Sequence, residues 1–290
     1  MNELEFIAAL RAMASEPAAR GLEDDAAVLE IGGESLVLTQ DTLVQGIHVR
    51  EDEDHADIAW KLVAVNLSDL AAKGAEPVGV LISHMLGTGD ERFLDGLSEV
   101  LGEFAVPLLG GDTTGSSGAR RSWTCTALGR ATHRPVPDRR GASSGDAIYV
   151  TGTLGLAMLG IDEDERNIGS AADLAYRRPW PLLAEGVALA PLVTAMMDVS
   201  DGLFLDCRRM ALASGVSFHL DSGSFPVAYP ARADACVRWG DDYQLLFTAP
   251  LDAALPVPAT QIGLVDTRGF EPLWIDGRAP EGDWLGYQHD

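Results

Sequence analysis

Apolar positions along this chain follow two periods. Between His55 and Lys73, Ile58, Leu62, Val65 and Leu70 recur at roughly helical spacing, which predicts a helix ended by Gly74 and Pro77. Asn66 and Asp69 stand three apart on it and share a face near its C-terminal end. The same reading predicts helices over 3–14, Asp90–Phe104 and Leu203–Ala213. Short apolar runs predict strands at Ser35–Thr39, Val78–Met85, Ala105–Leu109, Ser122–Leu128 and Ala147–Thr151. Further strands are predicted at Ala195–Asp198, Ser217–Leu220, Tyr243–Thr248 and Gln261–Val265. Residues 162–180 are polar and acidic before RRPWP and read as a helix and a loop. The stretch 132–146, rich in Pro, Gly, Ser and Arg, is the best boundary. The expectation is an α/β (α+β) protein with domains at 1–135 and 136–290.

Aspartates stand where the apolar segments end. They are Asp24 and Asp25 in EDDAAV, Asp41 in TQDTLV, Asp69 in NLSDLAAKG, Asp112 in LLGGDTTG, and Asp198 and Asp201 in MMDVSDGL. Packing has no use for gathered carboxylates, which repel one another and are costly to bury unless paired or metal-bound. Brought together, they would cage hard divalent cations, with Mg²⁺ and a polyphosphate the expected occupants. Gly110 and Gly111 would free backbone N–H groups for phosphate, although LLGGDTT also fits a simple strand-end turn. Ser200 or Asp201 also fits a helix cap, and a solvated turn accounts for any one of the other aspartates. His48 follows the Asp41 turn, Arg130 is a candidate phosphate clamp, and Trp284 and Tyr287 are candidate stacking surfaces.

Composition narrows the classes. The net charge is -23, from 44 acidic and 21 basic residues, which argues against nonspecific nucleic-acid binding and against an anionic membrane. Hydrophobic residues make up 47%, enough for a sizeable core. The N-terminus is acidic where a signal peptide is basic, and no apolar run nears membrane-spanning length. Cys125, Cys207 and Cys236 lie far apart without metal spacing, as in a reducing compartment, so a cytoplasmic protein is expected. Only Lys61 and Lys73 are lysines, and neither follows a GxxxxG loop, which excludes a Walker A site. GxGxxG before a helix, HExxH and HRD are also missing.

Several stretches together resemble the thiamine-monophosphate kinase family, within the superfamily of the aminoimidazole ribonucleotide and selenophosphate synthetases. They are EDDAAVL at 23–29, QDTLVQGIHV at 40–49, DIAWKLVAVNLSDLAAKGAEP at 57–77, LLGGDTT at 108–114, GDAIYVTGTLG at 145–155, RRP at 177–179, DVSDGL at 198–203, GDDYQLLF at 240–247 and WLGY at 284–287. The resemblance implies a two-domain aminoimidazole ribonucleotide synthetase-like fold, whose N-terminal mixed sheet pairs into a barrel in a homodimer. It implies in-line transfer of the γ-phosphoryl group of ATP to thiamine monophosphate, assisted by several Mg²⁺ ions. Asp25, Asp41, Asp69, Asp112, Asp198 and Asp201 are the implied metal ligands or neighbours, with Asp69, Asp112 and Asp198 central to catalysis. Gly111, Asp112, Arg130 and Ser200 are implied nucleotide contacts, and His48, Asp241 and Trp284 implied acceptor contacts. Departures gather on the acceptor side. Gln40 replaces a threonine, Asp241 a glutamate and Leu182 an arginine, and the segment after Gly155 is altered. The alternatives are a related ATP-dependent enzyme with another acceptor, or a weakly active or non-catalytic nucleotide-binding homologue.

Overall fold

The structure, a computed structural model, describes residues 3–115, 118, 120–161, 167–280 and 284–287. After helix α1 (Glu3–Arg11), the first half forms a five-stranded sheet of β1 (Ala27–Ile31), β2 (Glu34–Val44), β3 (Ala75–Leu86), β4 (Leu108–Gly115) and β5 (Ser122–Ala131). The order is β1-β2-β5-β3-β4. All pairs are antiparallel except β3 with β4. Helices α2 (His55–Ala72) and α3 (Asp90–Glu103) supply its cover. The Asp54 carboxylate caps α2 by accepting from Ala56 N, and Gly74 at φ 56° turns the chain after it. Ile58, Leu62, Leu67 and Leu70 of α2 pack with Val37, Val80, Trp123, Cys125 and Ala127 of the sheet and Phe93 and Val100 of α3. Each of the Val, Leu, Ile and Phe side chains among them contributes about 1.5–3 kcal/mol through burial.

The second half is a six-stranded sheet of β6 (Asp146–Val150), β7 (Ala195–Asp198), β8 (Val216–Leu220), β9 (Leu245–Pro250), β10 (Thr260–Thr267) and β11 (Leu273–Ile275). Its order is β11-β8-β10-β6-β9-β7, antiparallel except at β11. Helices α4 (Leu156–Ile161), α5 (Ala171–Arg177), α6 (Leu183–Leu189), α7 (Leu203–Ser214) and α8 (Ala233–Trp239) complete it. The end of α2 joins the halves: Ala71 and Ala72 share a cluster with Tyr149, Leu189, Met196 and Phe247. At the other end of α2, buried Asp57 accepts from Arg177 and Arg178. The three cysteines are free and buried, and no helix of the described residues is long and apolar enough to cross a membrane.

Two strands differ from the sequence expectation in a way that moves the chemistry. β2 does not stop at Gln40. It continues to Val44 because β5 pairs with it all along, Asp41 facing Cys125. Side chains alternate across a strand, so Thr39 and Asp41 share a face with buried Ser35 and Val37. β4 does not end before the glycines; Gly110, Gly111 and Asp112 lie inside it, paired in parallel with Leu81, Ile82 and Ser83. A Cβ on Gly111, at φ 154°, would sit 1.8 Å from the Ile82 carbonyl oxygen, so close backbone approach requires this glycine. The expected helix in 162–180 is α5; residues 162–166 lie outside the described residues. Strands β1 and β11 and helices α4, α6 and α8 are pieces too short for a periodicity to reveal.

Gly111→Ala is therefore expected to destabilise the protein by about 1–3 kcal/mol in urea denaturation without nucleotide. Unchanged stability with loss of nucleotide affinity alone would contradict the packing role.

Candidate active site

A cleft of about 900 Å³ opens between the two halves. Asp25 precedes β1, Asp69 lies on α2 and Asp198 ends β7. Their carboxylate oxygens lie within 4.8 Å of one another. Three converging anionic oxygen donors suit a hard divalent cation.

The surroundings show how the group is held. Ser68 Oγ donates to Asp198 Oδ2 at 2.5 Å, and Thr39 Oγ1 donates to Asp69 Oδ2. Thr39 and Asp41 reach the cleft from β2, where Asp41 N donates to Asn66 Oδ1 at 3.2 Å. Burial pushes the Asp69 carboxyl well up, and the charges of Asp41, Asp198 and Asp25 add to it. Burial and then Asp25 raise Asp198 to about 8. Asp41 is also raised, by burial, Asp201 and Asp25, against an opposing hydrogen bond with Asp69. Burial and neighbouring carboxylates thus disfavour the anionic form of each of these groups.

Asp24 and Asp25 are treated differently. The buried Lys73 Nζ lies 2.5 Å from Asp24 Oδ1 and 2.6 Å from Asp25 Oδ2. Arg20 Nη1 also donates to Asp24, and Arg139 donates to Asp25 Oδ1 from Nε at 2.9 Å and from Nη2. Burial works against charge on Asp24, but Lys73 and Arg20 outweigh it and hold its carboxyl below the ordinary value. Asp24 is thus neutralised within the protein, while Asp25 faces both the ion pairs and the cage.

His48, Ser200, Asp201 and Asp241 also line the cleft. Val44 N donates to His48 Nδ1 at 3.0 Å, leaving the ring's other nitrogen to carry the proton. Asp241, at φ 57°, is held by Lys61 Nζ at 2.7 Å and the Tyr243 hydroxyl at 2.9 Å. Lys61 in turn lies 4.2 Å from the Tyr176 ring centroid. Arg209 pairs with Asp201 and with the buried Asp206, which burial and then Asp201 push up to about 7.

Four expected residues lie elsewhere in this chain. Arg130 is on β5, exposed and 3.2 Å from Glu34. Trp284 is exposed under Arg238, while its neighbour Tyr287 does line the cleft. Gly111 and Asp112 are on exposed β4, separated from β2 by β5 and β3. Three strand spacings put Asp112 on the order of 14 Å from Asp41 in the sheet direction. Sequence reasoning missed Lys73, Arg139, Ser68 and Lys61 as organisers of the site. The one available signal was that both lysines of the chain lie on or just after the segment bearing Asp69.

Residues 23–131 match the family model described as AIR synthase related protein, N-terminal domain, and residues 143–261 match its C-terminal domain. Thiamine-monophosphate kinase of Escherichia coli (strain K12) is 37% identical, with 93% of this chain and 91% of that protein covered. The chain belongs to the thiamine-monophosphate kinase family. Another member, from Methanospirillum hungatei, is 34% identical over 92% of each chain. A solved structure described as AaThiL complexed with AMPPCP and TMP superposes with a TM-score of 0.89 at 27% identity, covering 100% of this chain and 97% of that one. Hydrogenase maturation protein HypE shares the fold, with a TM-score of 0.71 at 19% identity and 95% and 91% coverage.

In the unfolded chain Asp198 and Asp206 titrate near the ordinary carboxyl value of about 3.9. Folding without metal raises both, to about 8 and about 7. Their contribution is therefore fully present at low pH and is lost as pH rises toward 8. In EDTA, melting temperature is expected to fall between about pH 5 and pH 8, less steeply in Asp198→Asn. The gain on adding Mg²⁺ is expected to grow over the same range, because the metal takes deprotonated ligands. Parallel pH profiles for the two proteins would contradict the assignment.

Proposed function

We propose that this protein transfers the γ-phosphoryl group of ATP to the phosphate of thiamine monophosphate, giving thiamine diphosphate. The observation that carries the reading is the cage of Asp25, Asp69 and Asp198, set at the junction of both halves and fed by Asp41 and Asp201. These carboxylates fit Mg²⁺ and would hold it. The metal, when bound, supplies the positive charge that lets two anionic substrates approach. The acceptor is itself a phosphate, so no strong general base is needed. The protein's own work is positioning and the exclusion of repulsion.

Named residues divide that work. Lys73 fixes Asp24 and Asp25 from behind and keeps the loop before β1 in place. Arg139 holds Asp25 at the cleft wall, and Ser200, on the turn before α7, lines the same cleft toward the nucleotide. His48, Asp241 and Tyr287 form the acceptor end. There the Asp241 carboxylate, locked by Lys61 and Tyr243, offers negative charge to a cationic acceptor ring. The short reach of Asp241 also favours a second reading, a related phosphorylated acceptor.

We also infer a homodimer in which β4 serves the partner's site. Leu81, Leu86, Leu108 and Leu109 are exposed on β3 and β4, and β4, exposed along its length, lies at the sheet edge. A two-fold pairing of these sheets would bury that apolar face and carry Gly111 and Asp112 toward the cage of the other copy. A cytoplasmic setting suits the free cysteines and the demand for ATP.

The direct test is purified protein with Mg-ATP and thiamine monophosphate, following diphosphate formation; absence of product with nucleotide binding intact would overturn the reading. Asp69→Asn and Asp112→Asn are each expected to lose turnover. Mixed and allowed to re-associate, the two inactive variants are expected to regain about a quarter of wild-type activity, because half the dimers then carry one intact site. No recovery, with mixed dimers confirmed by tagged pull-down, would mean that each site is built within one chain.

A further inference from the structure

The cleft is short of cations for an enzyme that must hold two phosphorylated molecules. Seven carboxylates line it against two cationic side chains, Arg139 and Arg209, among the described residues. Arg139 is committed: Nε and Nη2 both donate to Asp25 Oδ1. Arg209 is not. It projects from α7 and uses only Nη1, which donates to Asp201 Oδ2 and, at 3.0 Å, to Asp206 Oδ1. Its Nε and Nη2 donate to no described residue, and 33% of the side chain is exposed.

The anchor of Arg209 is itself rigid. Asp206 is fully buried one turn earlier on α7, and its Oδ2 accepts from Asp201 N at 3.1 Å. One carboxylate therefore ties down both the turn bearing Ser200 and Asp201 and one corner of the guanidinium. The remaining edge is a planar fork of donors held in place before any ligand arrives, which suits a phosphate better than a mobile lysine would. A simple salt bridge to Asp201 accounts for the Nη1 contact. It does not account for an arginine whose other donors are left at the cleft, in a site that must attract anions.

We propose that Arg209 is a substrate-binding residue whose free guanidinium edge holds a phosphate oxygen of the phosphoryl donor or of the acceptor. This rests on the kinase reading above and adds to it a cation supplied by the C-terminal half. The lost contact is one charge-assisted hydrogen-bond pair, so Arg209→Met is expected to weaken one substrate on the order of 10- to 100-fold.

Wild type, Arg209→Met, Arg209→Lys and Asp201→Asn are compared by steady-state kinetics in both substrates and in Mg²⁺. Calorimetric titrations with AMPPCP plus Mg²⁺ and with thiamine monophosphate run alongside, with melting temperature as the folding control. Donor binding predicts a raised KM for ATP and a matching loss of AMPPCP affinity. Acceptor binding predicts a raised KM and weaker calorimetric affinity for thiamine monophosphate, with AMPPCP unchanged. In either case Arg209→Lys recovers part of the loss and half-saturating Mg²⁺ stays near wild type. Unchanged affinities for both ligands would overturn the proposal. So would a rise in half-saturating Mg²⁺ matching that of Asp201→Asn, which would make Arg209 only a positioning residue for Asp201. If wild type gives no thiamine diphosphate the kinase reading fails, while the AMPPCP and thiamine monophosphate titrations still decide whether Arg209 binds phosphate.

Discussion

The convergence of Asp25, Asp69 and Asp198 is the constraint around which the molecule is built. Oxygens within 4.8 Å of one another, on carboxylates largely withdrawn from water, would repel strongly enough to open the cleft if nothing opposed them. Opposition comes at two levels. Burial of α2 against the first sheet, and of its end against Leu189, Met196 and Phe247, holds the backbones together whatever the charges do. Lys73, Arg139 and the Ser68 and Thr39 hydroxyls then remove part of the repulsion locally. What is left over, chiefly on Asp69, Asp41 and Asp198, is the part available to a metal ion.

Helix α2 explains how one side of the cage reaches both halves. Its cap at Asp54, its apolar face, its buried charged groups at Asp57 and Lys61 and its cage carboxylate at Asp69 are spaced along a single rigid rod. Asp57 holds Arg177 and Arg178 at one end, Lys61 holds Asp241 in the middle, and Lys73 closes the far end on Asp24 and Asp25. Each buried charge on the helix thus has its partner on a different segment of the chain. Removing one partner would leave the other unpaired, which is far costlier than the pair is stabilising. The acidic protein can therefore act on anions: its charges are placed to bind cations first.

Much of this was legible beforehand, for definite reasons. The α2 helix declared itself through Ile58, Leu62, Val65 and Leu70, and Asp69 could be placed on one face with Asn66 from spacing alone. The second-half strands at 147–151, 195–198 and 217–220 follow from apolar runs that both faces of the sheet bury, as the uniform burial of Asp146–Val150 and Ala195–Asp198 confirms. The extent of β2 and β4 was not legible. Polar residues and glycines that look like turns remain in strand when a neighbour pairs with them, as Cys125 does with Asp41 and Ile82 with Gly111. Arg139 was hidden in a boundary segment whose composition signals only a loop.

The sequence by itself determined the ingredients: an α/β chain in two halves, a set of aspartates with hard-metal chemistry, and a family resemblance carried by ordered segments. Local periodicity and residue type suffice for these because they depend on neighbours in the chain. Tertiary structure alone decided which aspartates share a cation and which are neutralised by Lys73, that Asp241 is locked by Lys61, and that Asp112 lies strands away from the cage within one chain. Those outcomes depend on through-space distance and burial, and a carboxylate carries the same letter whether it faces a metal, a lysine or water.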